Sequence, residues 1–362
     1  MTLELEGVVK RVGAETHIYE TDLTLAETGF NVLLGATGAG KTTLIKLMAG
    51  LEQASAGEIR LNGRAVTDVS PQKRNVSLVH QFFVNYPHMN VFENIASPLR
   101  VAGMSKIEIE RRVGETAALL RLTPMLGRAP SELSGGQQQR TALARALVKD
   151  AAIVLLDEPL ANLDYKLREE LRDELPRLLA DRGAIIVYAT SEPAEALLLG
   201  GHTATMRDGR VTQFGPTAEI YRRPADLSTA EIFSDPPMNT AQVEKRDGVV
   251  RLGSVATWPA TGAIADRPDG AFLMGVRPNF VSPTEARDSH VRVDGRVLVT
   301  ELSGSESVAH FDLETEAGGV GAGAWVSQSH GVHPYQVGEL HSFYVDVSRC
   351  LYFDASGARL AD

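Results

Sequence analysis

The octapeptide GATGAGKT at residues 35–42 limits the choice of fold more than any other feature of this sequence. It follows the apolar run FNVLL, which predicts a buried strand, and it leads into TTLIKLMAGL, which predicts a helix. It matches the pattern G-x-x-x-x-G-K-(S/T), whose glycines let backbone N–H groups surround a phosphate at a helix N-terminus. A strand, a phosphate-binding loop and a helix in this order predict an α/β fold.

The residues of this loop have distinct expected roles. Lys41 is long enough to reach the β- and γ-phosphates of a nucleotide, and the Thr42 hydroxyl can coordinate Mg²⁺. The other residues expected to contact nucleotide are Gly35, Ala36, Thr37, Gly38, Ala39, Gly40 and Thr43. A glycine-rich turn that matches by chance is the alternative, and the flanking strand and helix argue against it.

A second apolar run, AAIVLLDE (151–158), predicts a strand buried on both faces that ends in two acids. Asp157 is placed to hold Mg²⁺ through water, and Glu158 is placed to polarise an attacking water as general base. Acids at strand ends are often simply solvated, but a phosphate loop in the same sheet favours a function. GAIIVYAT (183–190) predicts a further buried strand.

Composition narrows the range of partners. The net charge of −10 argues against nucleic acid as the main ligand, because nucleic-acid binding usually leaves a basic footprint. The single cysteine, Cys350, excludes a disulfide within the chain and fits a reducing compartment. The first residues lack the pattern of a secretory signal, and no apolar run approaches the roughly 20 residues that span a bilayer. We therefore expect a cytosolic protein, or one held at a membrane by a spanning partner.

The pattern changes near SDPPMNT (234–240), whose two prolines suit a linker. Beyond it the helical periodicity stops, and residues 292–313 and 342–360 alternate in the manner of antiparallel strands. We therefore predict an α/β domain over residues 1–235 and a smaller all-β domain over residues 236–362.

The segment LSGGQQQR (133–140) has no explanation in composition. A serine and two glycines open a helix and leave N–H groups free to meet an anion, but no lysine accompanies them. Followed by AAIVLLDE, this segment closely resembles the signature motif of ABC-transporter ATPases. In that family two ATPase domains face each other head to tail, and each ATP lies between the phosphate loop of one and the signature of the other. The resemblance implies that Ser134, Gly135, Gly136 and Gln137 complete the partner's ATP site.

Other segments resemble further motifs of the same family. Gln81 matches the glutamine that senses Mg²⁺ and γ-phosphate, and Asp164 in PLANLD matches the acid of the D-loop. YPHM and ENIASPL are most similar to ATPases of carbohydrate and polyol importers. The resemblance implies a P-loop ABC ATPase domain with a RecA-like core, an antiparallel β subdomain and a helical subdomain at about 84–150. It also implies a C-terminal all-β regulatory domain of the oligonucleotide/oligosaccharide-binding (OB) type.

Three stretches carry a narrower likeness to one of the two ATPase subunits of a bacterial glycerol importer: NVLLGATGAGKT, YATSEPAEALLLGG and VTQFGPTAEIYRRP. This resemblance implies that ATP and Mg²⁺ are bound. It also implies a second ATPase subunit, unlike or identical, two transmembrane permease subunits and, indirectly, a substrate-binding protein outside the membrane. The expected location is the cytoplasmic face of the cell membrane.

Two positions depart from the family pattern. The family usually has a histidine at Ser191, where it contacts γ-phosphate and helps to hold the water and Glu158 in register. We expect Ser191 to lack that contact and to start the helix that begins at Pro193. The family often has an aromatic residue at Val12 to stack on adenine, and valine offers no π surface.

These departures, beside an intact signature, predict a pair of unlike ATPase subunits in which this chain's own site is weakened. One alternative is a homodimeric sugar-importer ATPase. Another is a nucleotide-binding structural or regulatory subunit with little hydrolysis of its own. A soluble ABC ATPase of DNA repair or translation is disfavoured by the acidic charge and the β extension.

Overall fold

The computed structural model describes residues 1–26, 29–81, 84–161, 163, 165–180, 183–314 and 324–361. The chain divides into two compact units, Met1–Ile220 and Tyr221–Asp362. The boundary predicted from the sequence lies later in the chain, so the short helix Leu227–Ile232 groups with the second unit.

The strands of the described chain are β1 (Thr2–Val12), β2 (Glu15–Ala26), β3 (Phe30–Leu34), β4 (Ala56–Leu61), β5 (Arg64–Ala65), β6 (Val76–Val79), β7 (Ile153–Asp157), β8 (Ile185–Thr190), β9 (His202–Arg207), β10 (Arg210–Pro216), β11 (Asn239–Arg246), β12 (Val249–Leu252), β13 (Ala256–Pro259), β14 (Gly270–Val276), β15 (Val281–Ser282), β16 (His290–Leu302), β17 (Glu306–Leu313), β18 (Trp325–His330), β19 (Leu340–Asp346) and β20 (Leu351–Phe353). The α-helices are α1 (Lys41–Ala49), α2 (Val91–Val101), α3 (Lys106–Leu119), α4 (Gly135–Leu147), α5 (Tyr165–Ala180), α6 (Pro193–Leu199), α7 (Thr217–Arg222) and α8 (Leu227–Ile232). Within the described residues, no helix is both long enough and apolar enough to cross a membrane.

A six-stranded sheet in the order β10-β9-β3-β8-β7-β6 forms the centre of the first unit. All of its pairs are parallel except β9 with β10. Strands β3, β7 and β8 are buried at every residue, which confirms the prediction of strands covered on both faces. Leu34 lies opposite Thr190, and Asp157 lies opposite Ala189. The carboxyl ends of β3, β7 and β8 therefore meet at one edge of the sheet.

The rest of the first unit is an antiparallel sheet and a set of helices. The four-stranded sheet β2-β1-β4-β5 includes a hairpin of β4 and β5, in which Asn62 and Gly63 form the turn with positive φ. Helix α2 packs against α3 and α4. Both α2 and α4 begin with a capping box, formed by Asn90 with Glu93 and by Ser134 with Gln137.

The second unit is all-β apart from short helices, and it has the OB-type character that the resemblance implies. Two five-stranded antiparallel sheets have the orders β13-β12-β11-β14-β20 and β15-β19-β16-β17-β18. Phe311 and Phe343 stack with their ring centroids 3.9 Å apart in the core. Trp258 is buried and donates its indole N–H to the Tyr352 hydroxyl at 3.0 Å. The alternation of apolar residues in this region therefore reflects a packed core.

Candidate nucleotide-binding site

The phosphate loop connects β3 to α1 and takes a conformation that requires glycine at defined positions. A Cβ atom at Gly35 would lie 2.3 Å from the carbonyl oxygen of Met206. Gly40 has φ 102°, and a Cβ there would lie 2.8 Å from a methyl group of Ile18. Gly38 also has positive φ, but a Cβ there would meet nothing within 4 Å. The loop is thus packed against the sheet on one side and open on the other.

Lys41 is the charged residue of the loop and is almost fully buried, with 4% of its surface exposed. Its Nζ donates to the carbonyl oxygens of Gly35 at 2.7 Å and Ala36 at 3.1 Å. The same atom lies 3.3 Å from Oε1 of Glu158. A buried ammonium group is stable only with such partners, so the loop, the lysine and the acid are held as one unit.

The two acids at the end of β7 are held differently. Asp157 is buried, and its Oδ1 accepts a hydrogen bond from the Thr42 hydroxyl at 3.1 Å. Burial raises the pKa of Asp157, and the hydrogen bond from Thr42 acts in the opposite direction. Glu158 has a backbone φ of 45°, which is uncommon for a residue other than glycine. Its N–H donates to the Ala189 carbonyl at 3.0 Å. Strain of this kind often marks functional positions.

Gln81 completes the cluster, because its Nε2 donates to Oε2 of Glu158 at 2.9 Å. Glu158 therefore bridges the lysine of the phosphate loop and the glutamine that follows β6. A cavity of about 140 Å³ lies here, lined by Thr37, Gly38, Gly40, Lys41, Thr42, Thr43, Gln81 and Glu158. The structure thus brings the sequence-predicted residues of the phosphate loop together with the predicted base and glutamine.

The signature residues lie at the start of α4. Ser134 Oγ accepts from the Gln137 N–H at 3.3 Å, and the Ser134 N–H donates to Oε1 of Gln137 at 3.0 Å. Ser134 and Gly135 are exposed, and a Cβ at Gly135 would meet nothing within 4 Å. A Cβ at Gly136 would lie 3.5 Å from the Leu163 side chain. The signature therefore forms its capping hydrogen bonds within one turn of helix and exposes Ser134 and Gly135.

Ser191 lies immediately after β8, and its side chain is exposed. Helix α6 begins at Pro193 as predicted, but the expectation that Ser191 starts it is wrong. The N-cap is Glu192, which makes no capping hydrogen bond with its own side chain. The Thr190 hydroxyl instead accepts from the Glu192 N–H at 3.0 Å. A hydroxyl group can close a short turn by accepting from the N–H two residues later. Thr190 stands two residues before Glu192, and Ser191 does not.

Val12 ends β1 opposite Glu15 and is 50% exposed. Tyr19, the nearby aromatic residue, has the Arg210 guanidinium 3.6 Å from the centre of its ring. The Arg210 guanidinium therefore already covers one face of the Tyr19 ring. Asp164, the expected acid of the D-loop, lies outside the described residues.

Sequence reasoning missed Asn94, which holds residues 86–90, immediately before α2. This residue has no exposed surface; its Nδ2 donates to the carbonyl oxygens of Tyr86, Met89 and Asn90, and its Oδ1 accepts from the Tyr86 N–H. Arg145 lies 4.8 Å from the centre of the Tyr86 ring. The position of Asn94 within ENIASPL was the available signal, but the sequence does not show that this asparagine makes four hydrogen bonds to the backbone of residues 86–90.

Comparison with known proteins agrees with this geometry. Residues 19–161 match the family described as "ABC transporter". The sn-glycerol-3-phosphate import ATP-binding protein UgpC of Chromohalobacter salexigens is 38% identical over 362 residues, which cover 99% of this chain and 96% of the relative. The trehalose import ATP-binding protein SugC of Mycobacterium tuberculosis is 38% identical over 311 residues, covering 83% of this chain and 79% of the relative.

Solved structures give the same fold for the first unit. The dimeric structure of a post-hydrolysis state of the ATP-binding cassette MJ0796, bound to ADP and Pi, superposes with a TM-score of 0.55. It is 28% identical in sequence and covers 59% of this chain and 98% of its own.

Proposed function

Since this chain belongs to the ABC transporter family of ATPases, we propose that it powers an importer of a carbohydrate or polyol, with glycerol as the most specific candidate. The observation that carries the proposal is the convergence of Lys41, Thr42, Gln81, Asp157 and Glu158 at the carboxyl ends of β3, β6 and β7. A chain that had abandoned nucleotide would have no reason to hold these groups together.

The chemistry of the site follows from the charges of its side chains. Lys41 and the N–H groups of the loop bind the β- and γ-phosphates of ATP, where the ammonium group neutralises charge. Glu158 accepts a proton from the attacking water, and Gln81 orients that carboxylate through the hydrogen bond already present. Because Glu158 is also paired with Lys41, binding of phosphate would exchange one partner of the lysine for another.

Mg²⁺ fits the groups that this chain offers. The Thr42 hydroxyl and the Asp157 carboxylate are hard oxygen ligands 3.1 Å apart, of the type that Mg²⁺ prefers, and Gln81 carries an amide oxygen nearby in the cluster. Bound Mg²⁺ would neutralise phosphate charge. We propose Thr42 as a direct ligand and Asp157 as one that acts through water.

The substrate class rests on the relatives and not on any residue of this chain. The relatives are named for the import of sn-glycerol-3-phosphate and trehalose, which are both polyhydroxylated small molecules. An ATPase subunit of this family does not touch the transported molecule. Glycerol is therefore proposed from the three stretches that resemble a glycerol-importer subunit.

We propose that the ATP sites form between this chain and a second, unlike ATPase subunit. The exposed Ser134 and Gly135 would complete the partner's site, with Gly136, Gln137 and the partner's own phosphate loop. This chain's site would be weaker, because Ser191 cannot reach as far as the family histidine and Val12 cannot stack on adenine. Asp164 is proposed as the acid of the D-loop by resemblance alone.

A groove beside the helical subdomain supports contact with membrane subunits. A cavity of about 550 Å³ is lined by residues of α2, α4 and β6 and by residues of the adjoining loops, among them Val101 at the end of α2, Tyr86 before α2 and Lys149 after α4. Tyr86 is 43% exposed and Val101 is 90% exposed, which suits an apolar helix as occupant. We propose that a cytoplasmic helix of each permease docks there, which would place the chain peripherally at the cytoplasmic face of the membrane.

A second candidate is a nucleotide-binding subunit that turns over little ATP. The exposed Ser191 side chain favours it, because nothing at this position replaces the histidine. In that case the assembled complex would hydrolyse ATP at the partner's site alone, and the all-β unit would serve regulation.

The mass of the intact complex, isolated from its native membrane by a tag on this chain, tests the proposal. We expect one copy of this chain beside a different ATPase subunit and two permease subunits. Two copies of this chain and no other ATPase would overturn the unlike pair and favour a homodimeric importer ATPase. Recovery without any membrane subunit would count against the transport function itself.

A further inference from the structure

A buried carboxyl group lies behind the nucleotide site on α6. Glu195 is 4% exposed, and its Oε2 accepts hydrogen bonds from the Thr190 hydroxyl at 2.6 Å and the Tyr188 hydroxyl at 3.0 Å. Both donors belong to β8. None of the chemistry proposed above uses this glutamate, although burying a carboxyl group costs free energy that only its hydrogen bonds offset.

The Thr190 hydroxyl links Glu195 to the turn that contains Ser191. This hydroxyl donates to Glu195, and so its lone pair is free to accept from the Glu192 N–H at 3.0 Å. Glu192 in turn pairs with Arg168 of α5 at 2.8 Å. The glutamate therefore fixes the rotamer of Thr190, and the threonine fixes the turn that contains Ser191.

The same end of β8 supports the two working parts of the nucleotide site. The Thr190 carbonyl accepts from the Gly35 N–H at 3.3 Å, at the start of the phosphate loop. The Ala189 carbonyl accepts from the Glu158 N–H at 3.0 Å. A shift of this dipeptide would move the loop and the proposed base together.

We propose that Glu195 is a positioning residue of the ATP site, acting through the Thr190 hydroxyl to fix the end of β8 against the phosphate loop and Glu158. This inference rests on the proposed function for its catalytic consequence, but its structural part can be measured separately. Burial raises the pKa of Glu195, and the hydrogen bonds from Thr190 and Tyr188 act in the opposite direction. Geometry defines the role, because the Thr190 hydroxyl donates to Glu195 and accepts from the Glu192 N–H of the turn that contains Ser191.

The chain supplies a matched control for this proposal. Thr190→Val and Tyr188→Phe each remove one hydroxyl group that donates to Glu195 and change the side-chain volume little. Only Thr190 continues the chain of hydrogen bonds to the turn at Ser191. If Glu195 served stability alone, the two variants would behave alike.

The structural test is hydrogen–deuterium exchange of the purified full-length chain, in fragments covering residues 30–42 and 153–161. These fragments contain the N–H groups of Gly35 and Glu158. Thr190→Val should speed their exchange about tenfold relative to Tyr188→Phe, because local opening at the strand end becomes easier. Equal exchange in the two variants would overturn the inference.

The kinetic test uses ATP turnover at this chain's own site, measured for the same variants in the complex with a partner ATPase subunit whose phosphate loop has been disabled. Thr190→Val should lower kcat on the order of ten- to a hundredfold while KM for ATP changes less than about twofold, since misplacement of reacting groups acts on the transition state. Thr190→Ser, which keeps the hydroxyl group, should restore the rate, and Tyr188→Phe should leave it unchanged. A parallel loss in Tyr188→Phe, or no rescue by serine, would overturn the role. If the exchange results hold but the wild-type chain binds no ATP, the proposed function fails and the positioning of β8 stands.

Discussion

The two halves of an ATP site in this family, the phosphate loop and the signature, are built in different ways within this chain. The phosphate half draws Lys41, Glu158 and Gln81 from three separate elements, and the lysine is almost fully buried. The signature half forms its capping hydrogen bonds within four residues, between Ser134 and Gln137, and leaves Gly135 exposed. The phosphate half therefore depends on tertiary packing, whereas the signature half is a local motif suited to completing a site on another chain.

The largest expected effect comes from placing a charge in the exposed half. Gly135→Asp should fold normally, because a Cβ there meets nothing and an acid is favourable at a helix N-terminus. Its carboxylate would face the γ-phosphate held by the partner, so transport should fall at least about a hundredfold. Uptake by cells or vesicles measures this.

Gly135→Ala is the matched control for this prediction and should retain most transport, since the added methyl group has space. Glu158→Gln, which affects only the phosphate half of this chain, should reduce transport less than Gly135→Asp. Equal loss from these two variants would contradict the proposed inequality of the two sites.

The next effect concerns the residue that weakens the phosphate half. Ser191→His should raise ATP turnover at this chain's own site about tenfold or more, measured in the complex with a partner whose phosphate loop is disabled, because it supplies a donor that can hold the γ-phosphate and the attacking water. Ser191→Ala should leave turnover unchanged, since the exposed hydroxyl is too short for this role. A histidine variant that binds ATP but gains no rate would show that the defect lies elsewhere.

A smaller effect is expected at the adenine end. Val12→Phe should tighten ATP binding about fivefold, because stacking on a base is worth at least about 1 kcal/mol. Equilibrium binding of a fluorescent ATP analogue measures the change, and Val12→Leu provides a control without a π face. Affinity for inorganic triphosphate should not change. A gain for triphosphate as well would mean that the phenyl ring acts on the loop instead of the base.

The smallest expected effect is a pH dependence of stability at Glu195. Burial, with a further contribution from Glu192 opposed by Arg168, raises the pKa of this carboxyl group above its ordinary value of 4.5. The folded protein then binds the proton more tightly, so the group's contribution to stability is present below pH 4.5 and is lost as the pH rises through the folded pKa.

Glu195→Gln removes this titration and keeps an oxygen that accepts from Thr190 and Tyr188. The Tm of the variant minus that of wild type should therefore grow as the pH rises from 4 to 8. Calorimetry at several pH values measures it. A difference that shrinks with rising pH would mean that the carboxylate, once ionised, is stabilised by its surroundings.

The fold of the first unit was largely predictable because its signals are local and strong. The apolar runs that became β3, β7 and β8 are continuous, and the hairpin of β4 and β5 carries its own turn residues. The phosphate loop and the signature are also contiguous in sequence. The role given to Ser191 as helix start was wrong, because which of two adjacent hydroxyl groups closes a turn depends on backbone angles that sequence does not reveal.

The sequence by itself determined the class of fold and the residue types of the site, since short motifs carry their own geometry. It could not show that Glu158 holds Lys41 and Gln81 together, because these residues are far apart in the chain and meet only when parallel strands align their carboxyl ends. Glu195 likewise looks like an ordinary surface acid of a short helix in the sequence. Only the packing of α6 buries the Glu195 side chain and brings it into contact with Thr190, behind the nucleotide site.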